Sequence, residues 1–339
     1  MQLSAGKFRG FQRLADGAGR FKMVAIDQRT PLFGPIAKKR GVDVAPYEDV
    51  AAVKDRLAQR LSPKASAMLL DPIYAFPRTL PLMDARPGLM LALEHSAVEE
   101  TPEGRKSHAI PGWSVEKIRR SGGDAVKVLV WYRHDAPEHI KAHQQAFVRA
   151  AGEACEKADI VHLLEILIYP LPGEDPSVVT ERRAELVQKS VADFIDPSFK
   201  VDIYKLEPPA PINGLADPDG PDAKRIQADY DRLAADLPRP WVLLSAGAGP
   251  KDFQKSLAYG FRAGASGYLC GRAIWNGAFG SFPDLDAMDA ALLRDATPYL
   301  DEINALTDKS ATPWMNFAGF GGTPEVAKIG QSFPETYAA

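Results

Sequence analysis

Cysteine is scarce in this chain. Its 339 residues include two, Cys155 and Cys270, 115 positions apart and in no CxxC pair. That removes a disulfide scaffold and a cysteine-built zinc site, and it fits a reducing cytoplasm. Long apolar runs are missing as well. The stretch from Ile160 to Tyr169 is broken by His162 and Glu165 and falls far short of the roughly 20 residues that cross a bilayer as a helix. Residues Met1 to Gln12 set Lys7 and Arg9 among glycine and phenylalanine with no apolar centre, so they do not read as a secretory leader. Neither sign of charge dominates. The 41 basic and 44 acidic side chains give a formal charge of -3, which leaves no broad electropositive surface for nucleic acid. These absences describe a cytoplasmic protein that binds neither membranes nor nucleic acid.

What the sequence does have is rhythm. Eight short apolar runs, bounded by Gly, Pro or Asp, alternate with helix-like stretches: Lys22 to Asp27, Ala67 to Asp71, Leu89 to Glu94, Asp124 to Tyr132, Ile160 to Tyr169, Lys200 to Leu206, Trp241 to Ala246 and Ser266 to Cys270. Strands that are apolar on both faces and separated by helices belong to parallel sheets. The eight units cover residues 22 to 270, a span of 249, close to the roughly 250 residues of an eight-fold barrel. The expected fold is therefore α/β, a single (β/α)8 TIM barrel with N- and C-terminal extensions. The expected domain runs over residues 1 to 311, and residues 312 to 339 form a tail packing on the barrel or on a neighbouring subunit. Aromatics in that tail suggest a homodimer. Helical spacing marks Val50 to Leu61, Ala136 to Ala158, Glu181 to Phe194 with Thr180 as its cap and Arg182 and Arg183 solvated, and Asp222 to Ala235. Two connections are long, His95 to Ser114 after strand three and the proline-rich Pro208 to Pro221 after strand six.

Four strands carry a charge where apolar residues are expected. The two-residue period puts Lys205 on one face with Val201 and Ile203, Glu165 with Leu163 and Leu167, and Lys127 with Ala125 and Leu129, while Asp27 ends strand one. One lysine in a strand reads most simply as a solvated or snorkelling residue. Two lysines and two carboxylates at the strand ends must pair instead, because an isolated buried charge costs several kcal/mol. A structural ion-pair cluster is one reading. An amine whose pKa is lowered by burial and a neighbouring cation is a carbonyl nucleophile, and Schiff-base chemistry is the other. After strands seven and eight, LLSAGAGP and GRAIW place Ser245, Gly247, Gly249, Gly271 and Arg272 where barrels bind phosphate.

These residues carry a resemblance. AIDQR (25 to 29), VKVL (126 to 129), LEILIY (164 to 169), VDIYKLE (201 to 207), LSAG (244 to 247) and GRAIW (271 to 275) together resemble the lysine-dependent class I tagatose-1,6-bisphosphate aldolases and their sulfofructose-phosphate aldolase relatives. The resemblance covers about residues 20 to 300. It implies that Lys205 forms a Schiff base with a phosphorylated ketose, that Glu165 is its general acid/base, that Asp27 and Gln28 contact substrate hydroxyls, and that Lys127 tunes the amine. It also implies that Ser245, Gly247, Gly271 and Arg272 hold the dihydroxyacetone-phosphate end, with no metal and no cofactor. His95, at the end of strand three, faces the mouth. Arg29, Arg78, Arg105 and Arg133 are candidates for the group at the far end of the substrate, be it phosphate, sulfonate or carboxylate. The readings that compete with a ketose-bisphosphate aldolase are a sulfofructose-1-phosphate aldolase, a phosphosugar isomerase or epimerase, and a sugar-phosphate sensor without turnover. The long loops around Glu99 to Ile110 and Pro208 to Pro221, and the tail after Thr312, depart from a short form of the family.

Overall fold

The computed structural model describes residues 1 to 327 and 329 to 337. All eight expected runs become strands: β1 (Phe21–Ala25), β2 (Ala67–Leu70), β3 (Gly88–Ala92), β4 (Ala125–Trp131), β5 (Val161–Leu167), β6 (Ile203–Leu206), β7 (Trp241–Leu243) and β8 (Gly267–Cys270). Each pairs in parallel with its sequence neighbours, and β8 returns to β1, closing the barrel. Residues such as Val24, Leu69, Leu91, Val128, Leu164, Ile203 and Leu243 are buried, as two-faced apolar strands require.

The helices cover the outside with the faces their spacing marks. Helix Tyr47–Leu61, with Glu48 and Asp49 in its first turn, buries Val50, Val53, Leu57 and Leu61, and Glu138–Lys157 buries Ile140, Val148 and Cys155. Thr180 does not cap the helix that follows. It lies inside a short helix, Ser177–Glu181, and the chain breaks at Arg182 before Arg183–Ala192 begins. Arg183 is not solvated either, because its Nη2 donates to Glu207 Oε1 at 2.9 Å.

The extensions close the barrel's N-terminal end. Helix Ala5–Leu14 crosses beneath β3 and β5, close enough that a Cβ at Gly10 would sit 2.6 Å from the Val161 side chain and one at Gly88 would sit 2.4 Å from Arg13 O. Phe11 stacks on Trp314 at 4.7 Å, Phe317 and Phe320 are buried, and Gln2–Leu3 pairs in parallel with Glu325–Val326. The tail aromatics thus pack on their own chain. Of these, Tyr337 stays 38% exposed at the surface. Beneath the strands Lys7 and Asp202 form a buried ion pair at 2.9 Å.

Candidate active site

With the N-terminal end closed, the opposite end of the barrel is free for a site. A cavity of about 550 Å³ opens there, lined by residues from the ends of β1, β3, β4, β5 and β6 and by Arg272 after β8. Parallel register explains the convergence. Leu129 lies beside Glu165, and Glu165 beside Lys205, so the charged residues of neighbouring strands reach nearly the same height in the barrel.

Lys127 is the hub. Its Nζ lies 3.0 Å from Asp27 Oδ2, 2.7 Å from Glu94 Oε1 and 2.9 Å from Glu165 Oε2. Glu165 Oε2 is also 2.9 Å from Lys205 Nζ, so one carboxylate oxygen bridges two ammonium groups. Neither contact meets hydrogen-bond geometry at that oxygen. The attraction is ionic. All five side chains except that of Asp27 are at most 7% exposed, and Asp27 is 8% exposed.

Burial and charge oppose each other here. Burial would raise the Asp27 carboxyl, but Lys127, Lys205 and Arg29 outweigh it and hold Asp27 well below the usual carboxylate range. Burial would likewise lower Lys127, yet Asp27, Glu165 and Glu94 hold it firmly protonated, above the ordinary lysine value. For Glu94 burial prevails over the nearby cations, and its carboxyl rises. Glu94 is the site residue that sequence reasoning missed. It accepts from Leu129 N at 3.2 Å through Oε2, and Arg29 Nη2 donates to its carbonyl at 3.0 Å. Its signal was available, an acid ending an apolar run, but there it reads as a strand boundary. His95 lines the cavity beside it, with Nδ1 engaged in a local turn around Ala97.

Among the buried polar atoms without hydrogen-bond partners, which are otherwise mostly scattered through the fold, Asp27 Oδ1, Gln28 Oε1, Arg29 Nε and Nη1, and Glu165 Oε2 belong to residues that line this cavity. Buried polar groups are normally satisfied, so a cluster of exceptions facing one cavity points to a polar ligand. A glycine-rich cradle adjoins it. Gly247 takes φ +80° in the turn after β7, and a Cβ there would stand 3.4 Å from the Arg272 guanidinium. Ser245 is buried at the start of that turn, and its carbonyl accepts from Ala248 N. Gly271 caps helix Arg272–Phe279 and packs so closely on β1 that a Cβ would meet Ala25 O at 2.3 Å. Arg272 lines both the cradle and the main cavity, and its guanidinium has no ion-pair partner among the described residues. No three His, Cys, Asp or Glu of the described residues converge as metal ligands. The cations suit anionic ligands instead.

Of the four arginines considered for the far end, two are placed elsewhere. Arg78 pairs with Glu48 and Asp55 at the surface, and Arg133 is buried against Asp135 and Glu174. Arg29 and Arg105 line the cavity.

A closed parallel barrel with a lysine and a carboxylate in contact at its C-terminal mouth, beside a glycine-rich cradle, has the form of a barrel enzyme. Comparison with known proteins makes this particular: the chain belongs to the DeoC/LacD family of aldolases, whose model matches residues 21 to 277. Over 328 residues it is 31% identical to the tagatose 1,6-diphosphate aldolase of Lactococcus lactis subsp. lactis, covering 93% of this chain and 99% of that protein. It is also 31% identical to the enzyme of the same name from Streptococcus agalactiae serotype V, over 93% and 99% of the two chains. Among solved structures it resembles a Schiff base-forming fructose-1,6-bisphosphate aldolase (TM-score 0.56, 16% identity, 89% of this chain and 99% of that one). It also resembles the fructose-bisphosphate aldolase of Plasmodium falciparum (TM-score 0.62, 14% identity, 92% and 98%). At those identities the likeness supports the barrel fold. The protein is an aldolase, a lyase of carbon–carbon bonds. No helix among the described residues is long and apolar enough to cross a membrane.

Proposed function

We propose that this aldolase cleaves a ketose 1,6-bisphosphate of the tagatose type through a Schiff base on Lys205, releasing dihydroxyacetone phosphate and glyceraldehyde 3-phosphate. The observation that carries the reading is the 2.9 Å contact between Lys205 Nζ and a Glu165 oxygen that lacks an aligned hydrogen bond. The relatives' printed names supply the substrate class.

In this mechanism the turn at Ser245 and Gly247, with Gly271 and Arg272, holds the C1 phosphate. Glu165 takes the ammonium proton of Lys205, and the free amine adds to the C2 carbonyl. Glu165 then protonates the departing hydroxyl, and loss of water leaves the iminium. A carboxylate at the C4 hydroxyl, Asp27 or Glu165, removes its proton as the C3–C4 bond breaks. The bond's electron pair moves into the iminium to form the enamine, and the aldehyde leaves. Protonation at C3 and hydrolysis free dihydroxyacetone phosphate and restore the amine. Gln28 and Arg29 orient the substrate's hydroxyl groups. Lys127 keeps Asp27, Glu94 and Glu165 together and holds positive charge beside the amine. The catalytic unit is the barrel of residues 1 to 311, and the described part of the tail that follows acts as its basal support.

Incubation with dihydroxyacetone phosphate and borohydride tests this. The expected result is one reduced adduct on the peptide bearing Lys205, lost in Lys205→Met while the circular dichroism spectrum is kept. Isomerase or epimerase turnover with Lys205 unmodified would overturn the reading, and so would binding of the bisphosphate without cleavage.

A further inference from the structure

The Schiff base and the anion cradle account for one end of the substrate, while the cavity continues past them toward the loop after β3. Its wall is built by two matched strand ends. On β4, Lys127, Leu129 and Trp131 follow one another on one face, and on β5 and its extension Glu165, Leu167 and Tyr169 do the same. Lys127, Leu129, Trp131, Glu165 and Leu167 all line the cavity. Each track runs from a charged group through a leucine to an aromatic ring, about 13 Å of strand from first to last. The two rings meet edge to face, with centroids 6.4 Å apart and planes at 89°.

Arg105 is clasped over both. Its guanidinium carbon stands 4.5 Å from the Trp131 ring centre and 4.8 Å from that of Tyr169. The residue sits on an antiparallel hairpin, Glu99–Thr101 with Gly104–Lys106, directly opposite Glu100. Its backbone is fixed from both sides. The amide donates to Tyr169 Oη at 3.0 Å, and the carbonyl accepts from Gln144 Nε2 at 3.0 Å, where buried Gln144 also bonds Ser107 and Trp131. The side chain's ion partner is Glu100, with Nε 2.9 Å from Oε1. Glu100 is 61% exposed and Arg105 24%, so this pair is weak and can be exchanged. A cation held rigidly by aromatic rings, lining the reaction cavity and facing a displaceable carboxylate, is built to take an oxyanion from solution.

We propose that Arg105 is the specificity-determining residue for the end of the ketose remote from the Schiff base, that it selects a tetrahedral oxyanion there, phosphate or sulfonate, and that Glu100 competes with that group for it. This deepens the aldolase reading and rests on it. The leucine pair makes the intermediate stretch of the cavity apolar, so the substrate is gripped at its two charged ends and at the hydroxyls nearest the reacting carbons.

The test compares the full-length protein's kcat/KM for tagatose 1,6-bisphosphate with that for tagatose 1-phosphate. Arg105→Met is expected to lower the bisphosphate preference by about ten-fold or more, through KM, and Arg105→Lys to restore part of it. Glu100→Gln is expected to lower the bisphosphate KM by about two-fold or more, with no matching change for the monophosphate. An Arg105→Met protein that loses both activities equally, or that keeps the wild-type preference, overturns the proposal. An unmoved KM in Glu100→Gln overturns the competition. If wild-type protein forms no borohydride-reducible adduct with dihydroxyacetone phosphate, the underlying aldolase reading fails instead, which separates the two failures.

Discussion

Lys127 carries the electrostatics of the mouth, and its removal has a sign that can be worked out. With Lys127→Met, Asp27, Glu94 and Glu165 are left buried together, and breaking such a network by deleting one partner costs about 3 to 5 kcal/mol. In the wild type Asp27 titrates lower in the folded chain than in the unfolded one. Its stabilisation is therefore present above the ordinary carboxylate value and fades as pH falls through its folded value. The Lys127 contribution is complete below the unfolded lysine value and is lost only as pH climbs through its raised folded value. Without Lys127 the Glu94 carboxyl, already raised by burial, loses the strongest cation opposing that rise, so the variant should gain stability as pH falls from 8 toward 5. Urea midpoints across that range check it, and a variant that weakens on acidification would contradict the pairing. Glu94→Gln should keep the fold, since the amide oxygen can still accept from Leu129 N, while kcat falls about ten-fold as Lys127 loses one of its three anchors. Steady-state rates would show this as a loss in kcat with little change in KM.

At the scale of elements, the strands were legible because each is apolar on both faces, and the charged exceptions stood out against that background. Lys127, Glu165 and Lys205 were found by the two-residue period, and register then brought them together. The hairpin at Glu99 to Lys106 was not legible. Its residues are polar on both faces, and it is fixed by Tyr169 and Gln144 from distant elements, partners no local pattern reveals. Glu94 was hidden by its position at a strand end, and the Arg183 pairing with Glu207 by a helix break that no cap signalled. The β8 turn gives a contrast to test. Gly271→Ala drives a Cβ against Ala25 O, so it should destabilise the turn and raise KM for dihydroxyacetone phosphate. Gly277→Ala, in the same helix with nothing within 4 Å of the new Cβ, should stabilise by about 0.5 to 1 kcal/mol. Thermal melts and phosphate-end binding of the two variants separate local crowding from helix propensity.

For the whole molecule, the charged cavity and the packed extensions lie at opposite ends of the barrel. Trp314, 1% exposed and stacked on Phe11, joins the tail to the first helix and to the Gly19 carbonyl. Trp314→Ala should cost about 3 to 5 kcal/mol. Below the melting transition the yield of reduced Lys205 adduct should be unchanged. A denaturation curve and a mass spectrum of the same sample distinguish the two effects, and a proportionate loss of adduct would mean that the base and the mouth are coupled.

The meeting of the first and last segments has a practical reading. Ser4 and Tyr337 both hydrogen-bond the Asp159 carboxylate, so the first and last described segments meet on the face opposite the cavity that Lys205 lines. A short peptide linker could join them, and new termini could be opened in a surface loop between barrel units, giving a circular permutant with its mouth undisturbed. Anchoring the enzyme to a resin through a surface position beside Ser4 would likewise leave the entrance facing the solution.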